Sequence, residues 1–313
     1  MKLATIRTGD GRERVAVVVD DERRLVDLGS AHERLRGGEH PALGSMVALI
    51  GGGEVALDVA RELVEAAPEE AIVQRSAVAM LAPIPVPPQI RDFLAFEQHL
   101  KGAFGMAEQF TGRHMEIPAV WYQQPIYYKA NRFSVVGPDA EVSWPSYAQL
   151  LDYELELACV IGKPGVDIAR DEAAGHIFGY TIFNDVSARD AQATEMEGQL
   201  GPAKGKDFDT GNVLGPWLVT ADEIGDPYDL TMVARVNGEE WSRGHSGTMH
   251  HRFGDIIAFV SRSETLHPGE ILGSGTVGGG CGLELGRFLN PGDVIELEVE
   301  RIGVLRNRII KEP

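Results

Sequence analysis

Short apolar runs broken by turns set the pattern from the N-terminus. Residues 3–8 and 14–20 are β-like runs separated by Gly9-Asp10-Gly11, a hairpin signal. Residues 54–67 follow a glycine run and set Val55, Leu57, Val59, Leu63 and Val64 among charges, which predicts a short helix. Pro83, Pro85, Pro87 and Pro88 then fall within six residues. A stretch so poor in backbone donors cannot continue a helix and reads as an extended linker. The expected organisation is a small α/β N-terminal domain (1–82), a Pro-rich linker (83–89) and a larger domain (90–313).

The larger part has frequent turns and short runs. Residues 93–109, 147–152 and 170–176 are its expected helices. Pro291-Gly292-Asp293 is a turn, and residues 294–300 alternate apolar and acidic side chains as a half-exposed strand does. No repeat, heptad or low-complexity tract interrupts this pattern. The expected fold class is α+β and β-rich.

Composition narrows the function. The chain has 313 residues, 43% hydrophobic and 24% charged, as suits a packed domain rather than a disordered one. Its 29 Lys+Arg against 47 Asp+Glu give a net charge of −18, which argues against nucleic acid as a partner. No apolar run reaches the ~18–20 residues of a membrane span. The first ten residues lack the apolar stretch of a signal peptide, so a cytosolic placement is expected. Two cysteines, Cys159 and Cys281, make neither a disulfide framework nor a zinc set.

The sharpest chemical feature is Asp152-Tyr153-Glu154-Leu155-Glu156-Leu157. On a strand Glu154 and Glu156 share a face, ~6–7 Å apart along the chain. Buried and unpaired, two such carboxylates would repel, and a divalent cation between them would remove the conflict. Glu296, Glu298 and Glu300 alternate in the same way and read as a wet face. The first strand differs by continuing into Ala158-Cys159-Val160-Ile161, apolar on both faces.

A second segment is Asn184-Asp185-Val186-Ser187-Ala188-Arg189-Asp190-Ala191-Gln192. Asp185 stands where a strand ends, a usual place for a ligand carboxylate, with Arg189 and Gln192 a helical turn apart. An Asp helix cap with a surface Arg–Asp pair would leave the same trace. Asp92 and His99, seven apart, could share a helix face. His245, His250 and His251 lack a second ligand pair at zinc-like spacing and read as loop residues without an assigned role. Gly201-Pro202-Ala203-Lys204-Gly205-Lys206-Asp207 has the wrong spacing for a phosphate loop, and Gly278-Gly279-Gly280 is no dinucleotide fingerprint.

Taken in order, these segments resemble the fumarylacetoacetate hydrolase family over roughly residues 85–310. Asp92-Phe93 with His99 is similar to its opening motif, and Asp152-Tyr153-Glu154-Leu155-Glu156 to its paired-glutamate strand. Asn184 to Gln192 is similar to its Asn-Asp-x-Ser-Ala-Arg-Asp-x-Gln motif. Lys206-Asp207-Phe208-Asp209-Thr210 is similar to its lysine motif. Ser274-Gly275-Thr276 and Gly282-Leu283-Glu284-Leu285 are similar to its C-terminal loop.

The resemblance implies a mixed β-sandwich or roll catalytic domain, with metal ligands Asp92, Glu154, Glu156 and Asp185. An all-oxygen set suits Mg²⁺, or Mn²⁺ or Ca²⁺, rather than zinc. It further implies His99 as general base oriented by Glu284. Arg189, Gln192 and Lys206 would face developing negative charge, and Tyr128 and Thr276 would touch substrate. Leu94 stands where the family hydrolase has a substrate tyrosine, and the loop before Glu284 is shorter than in eukaryotic hydrolases. The first expectation is therefore metal-dependent C–C hydrolysis of an acylpyruvate or 1,3-diketo acid, of the kind used in aromatic compound catabolism, through a metal-chelated enolate. Decarboxylation, hydration or isomerisation of a 2-oxo acid on the same centre is the alternative, and a homodimer is implied.

Overall fold

In the computed structural model, described over residues 1–112 and 114–311, strands outnumber helices. Arg113, Glu312 and Pro313 of the expected larger domain lie outside the described residues. The main sheet runs Ile72–Gln74, Arg24–Asp27, Glu13–Val19, Lys2–Arg7, Asn212–Thr220, Ile177–Asp185, Leu155–Ile161, Ile271–Gly273, Ile90–Phe93 and Tyr127–Lys129. Two short strands, Ala79–Leu81 and Val135–Val136, add to it at Lys2–Arg7 and Asn212–Thr220. The sheet is open, and neighbours are antiparallel apart from two parallel pairs, one of which joins Ile271–Gly273 to Ile90–Phe93. A second sheet orders Glu239–His245, Thr231–Val236, Val294–Val299, Gly303–Ile310 and Glu141–Ser143. This is the α+β, strand-rich architecture expected.

The central strands are covered on both faces. Leu155, Leu157, Cys159 and Ile161 pack with Met232, Ala234, Leu297 and Leu305 of the second sheet. Ala158 and Val160 turn the other way, into a core shared with Leu28, Leu49, Ile50, Leu57 and Leu63 of the N-terminal helices. That is why residues 158–161 read as apolar on both faces, whereas Glu296 and Glu298 stay half-buried on a one-sided strand. The first strand pairs Lys2 with Val219 and Leu3 with Leu218, so the N-terminal segment extends the main sheet. The Pro-rich stretch packs beneath it, with the Pro83 carbonyl accepting from Thr5 Oγ1 at 2.6 Å.

Most predicted elements form where expected, with three differences. Residues 93–109 are not one helix. Ile90–Phe93 is a strand, because its backbone pairs on both sides, and the helix Glu97–Thr111 begins only after a short loop. Asp92 and His99 therefore sit on different elements. Residues 147–152 end in the strand Leu151–Asp152, which pairs with Ser187–Ala188. Of residues 170–176, only Ala173–His176 coils, as a 3₁₀ turn.

Candidate active site

Neighbouring interior strands of the main sheet gather the acidic residues. Asp92 lies in Ile90–Phe93, Glu156 near the start of Leu155–Ile161, and Asp185 at the end of Ile177–Asp185. Asp92 is aligned with Gly273 on the neighbouring strand. A side chain at Gly273 would collide with Asp92 Oδ1 and come within 3.1 Å of Glu156 Oε2, so a bare backbone there lets the two carboxylates converge. Carboxylate oxygens of Asp92, Glu156 and Asp185 lie within 4.8 Å of one another.

These three side chains are buried, and Asp92 Oδ1, Glu156 Oε1 and Asp185 Oδ1 have no hydrogen-bond partner. Orphaned buried carboxylate oxygens are costly, since burial disfavours their charge and each repels the others. Burial first, then the Asp185 charge, pushes Asp92 up to about 8. Burial and Asp92 drive Glu156 well above the carboxylate range. With Asp152 and Glu154, five buried carboxylates face the two permanent cations Lys206 and Arg189. The charge deficit and the orphaned oxygens together fit a divalent cation with oxygen ligands.

Glu154 stands beside this trio instead of within it. Its Oε1 is 2.8 Å from Arg189 and its Oε2 2.6 Å from Lys206. Burial alone would raise it, but Lys206, Arg189 and His99 outweigh that and bring it down to about 2. Lys206 also reaches Asp185 Oδ2 at 2.6 Å, which Tyr128 meets through its hydroxyl at the same distance. Tyr128 thus braces a carboxylate of the trio. Thr276 is buried with its Oγ1 unpartnered. Gln192 is half-buried, and its Oε1 accepts from Arg189 at 2.9 Å.

His99, in the first turn of Glu97–Thr111, meets Glu284 with Nδ1 2.7 Å from Oε1. The other Glu284 oxygen accepts from Gly279 N at 2.8 Å, which fixes the carboxylate. The expected base and its orienting acid are therefore in contact across 185 residues of sequence.

Two residues without an assigned role prove structural to the site. Asp152 Oδ2 receives Arg189 at 2.9 and 2.7 Å, while its two oxygens take Gly282 N at 2.7 Å and Leu283 N at 2.9 Å. It ties Arg189 to the short helix Gly282–Leu285 that carries Glu284. The alternation that singles out Glu154 and Glu156 includes Asp152, and that signal was there to read. Cys281 caps the same helix, with Sγ 3.4 Å from Glu284 Oε1. The histidine loop is also accounted for: His251 Nε2 lies 2.5 Å from the Trp121 carbonyl, and His250 N donates to Ala95 O.

An open, strand-rich α+β scaffold, with a buried carboxylate cluster and a histidine–carboxylate pair beside it, has the makings of an enzyme active site. The chain belongs to the fumarylacetoacetate hydrolase family: residues 89–310 match the model of the fumarylacetoacetate (FAA) hydrolase C-terminal domain. The chain is 35% identical to human mitochondrial oxaloacetate tautomerase FAHD2A over 267 residues, covering 85% of this chain and 80% of the relative. It is 33% identical to oxaloacetate tautomerase YisK of Bacillus subtilis over 304 residues, covering 94% and 95%. Among solved structures, the fumarylacetoacetate hydrolase of Exiguobacterium antarcticum is similar with a TM-score of 0.75 and 27% identity, each chain covered completely. Among the described residues no helix is long and apolar enough to cross a membrane.

Proposed function

We propose that the chain interconverts the keto and enol forms of a small 2-oxo dicarboxylate such as oxaloacetate. The observation that carries this reading is the His99–Glu284 pair set beside the orphaned carboxylate trio. Two relatives named as oxaloacetate tautomerases, each aligned over most of its length, support the same choice. This puts isomerisation, the alternative from the sequence, ahead of C–C hydrolysis.

Asp92, Glu156 and Asp185 would hold a divalent cation such as Mg²⁺ or Mn²⁺. Glu154, held by Arg189 and Lys206, stands beside them. When bound, the ion would serve as a Lewis acid, easing negative charge on the substrate's 2-oxo oxygen. His99 would take the proton from the substrate's C3 and return it to the 2-oxo oxygen, so that keto form and enol form balance with nothing added or lost. Glu284 would hold the imidazole and stabilise its charged form. Arg189, engaged by Asp152, Glu154 and Gln192, acts as a positioning residue, and it leaves the Gln192 amide nitrogen as a donor towards substrate. Lys206 supplies positive charge next to the trio, and Thr276 Oγ1 is the free hydroxyl for a substrate oxygen.

The test follows the enol absorbance of oxaloacetate with Mg²⁺ or Mn²⁺ and again with chelator, beside an acylpyruvate cleavage assay. Metal-dependent acceleration of tautomerisation, without cleavage, is expected. Cleavage of acylpyruvates with no effect on the oxaloacetate equilibration rate would return the assignment to hydrolysis. We further propose a homodimer in the cytosol, the first checked by light scattering against the 34.0 kDa chain mass.

A further inference from the structure

We propose that His99, Cys281 and Glu284 form a second metal site, specific for thiophilic divalent cations such as Zn²⁺, whose occupation shuts off proton transfer at His99. The inhibitory half of this inference rests on the proposed role of His99; the binding half does not.

The three ligand atoms face one another. His99 Nδ1 is 2.7 Å from Glu284 Oε1, Cys281 Sγ is 3.4 Å from the same oxygen, and Sγ is 4.0 Å from Nδ1. In a tetrahedral zinc site, Zn–S of ~2.3 Å and Zn–N or Zn–O of ~2.0–2.1 Å put ligand atoms about 3.3–3.6 Å apart. The observed triangle brackets that spacing, and side-chain shifts of roughly half an ångström would close it.

The donors are also held in place. Cys281 is the N-cap of the helix Gly282–Leu285, so Cys281 and Glu284 lie on one turn. The Cys281 backbone bridges to Glu154, and Gly279 N occupies the second Glu284 oxygen, which leaves Oε1 turned to the other two donors. His99 and Cys281 are buried, and the Glu284 side chain is 5% exposed.

Donor chemistry separates this site from the carboxylate trio. Sulfur, nitrogen and one oxygen suit zinc and its thiophilic neighbours, whereas the trio offers oxygen alone. An ion at the second site takes the place of the proton shared between Nδ1 and Oε1, and the thiol proton leaves to buffer. His99 is then coordinated at the nitrogen that Glu284 orients, and the pair can no longer carry a proton. The same enzyme would be activated by a hard cation and silenced by a soft one.

The test uses the full chain with excess Mg²⁺ to fill the trio. Co²⁺ titration should give a thiolate-to-cobalt charge-transfer band, and Zn²⁺ should abolish turnover near one equivalent, with chelator and fresh Mg²⁺ restoring it. Cys281→Ser should lose the band and weaken Zn²⁺ binding by at least about tenfold, the lower end of what even an outer partner of a metal ligand is worth. Cys159→Ala, which alters the other thiol, should keep the band. No band in the parent chain, or an unchanged band in Cys281→Ser, overturns the site. A band that disappears in Cys281→Ser while Zn²⁺ leaves turnover intact upholds the site and overturns the proton-carrying role of His99.

Discussion

At the scale of single residues, His99 and Gly273 allow the proposed proton transfer to be tested apart from the proposed metal holding. His99 touches Glu284 and lies outside the carboxylate trio. His99→Ala should lower tautomerisation by about 10²–10⁴, the usual worth of a positioned proton-transfer group. Calorimetric Mg²⁺ or Mn²⁺ affinity should be unchanged; near-normal turnover would sink the role. Gly273→Ala should do the reverse kind of damage. Its new methyl enters the space of Asp92 Oδ1 and presses on Glu156 and on the Phe183 ring, 2.9 Å away. The expected loss is about tenfold or more in hard-metal affinity, as when an outer partner of a ligand is disturbed. Equal affinity in the two proteins would mean that the trio does not hold the ion.

These residues also show what the sequence carries. Asp92, Glu156, Asp185, His99 and Glu284 were legible because ordered motifs name them. Gly273 was not, because a small residue in a strand carries no mark of what approaches it. Glu154 illustrates a different limit. Alternation puts it on the same face as Glu156, but whether a carboxylate faces a metal or a cation depends on Lys206 and Arg189, which arrive from 52 and 35 residues further along.

At the scale of elements, the loop between Asp92 and His99 is what couples the two halves of the site. It is braced from outside. Trp121 donates from Nε1 to the Leu94 carbonyl at 2.6 Å, His250 N reaches Ala95 O at 2.8 Å, and buried His251 meets the Trp121 carbonyl. The expectation of a continuous helix over 93–109 does not reveal this, since strand pairing by Ile90–Phe93 is a long-range choice. Burial lowers the His251 pKa below its ordinary 6.5, with His250 adding to the effect and the Trp121 carbonyl and Asp255 opposing it. Below pH ~6.5 the unfolded chain takes up a proton that the folded chain resists, so stability is full above that pH and falls as pH drops towards the lower folded value. His251→Gln keeps a donor for Trp121 but cannot titrate. Its thermal midpoint should therefore decline less than the parent's between pH 7 and 5, and parallel declines would remove His251 from the account.

At the scale of the whole molecule, the site is an excess of buried negative charge on one face of the main sheet. The strands that carry Asp92, Glu156 and Asp185 pack against the second sheet on one face and share a core with the N-terminal helices on the other, and the three carboxylates themselves are buried. Burial leaves the carboxylates poorly screened by water, and neutralisation comes from protons, Lys206, Arg189 or a bound cation. A folded chain gathers the three carboxylates and an unfolded one scatters them, so a hard divalent ion held by the trio would bind the native state preferentially. Such an ion at 100 times its dissociation constant stabilises a one-site protein by about 2.7 kcal/mol. Mg²⁺ or Mn²⁺ should thus raise the thermal midpoint of the metal-free chain by several degrees, in proportion to the logarithm of concentration. Asp185→Asn should abolish most of that rise, because it removes a charge from the trio while keeping the shape, and Glu296→Gln on the wet strand should leave it intact. If both variants responded to metal as the parent does, the cation would be binding elsewhere on this acidic surface, and the buried trio would have to be balanced by protons alone.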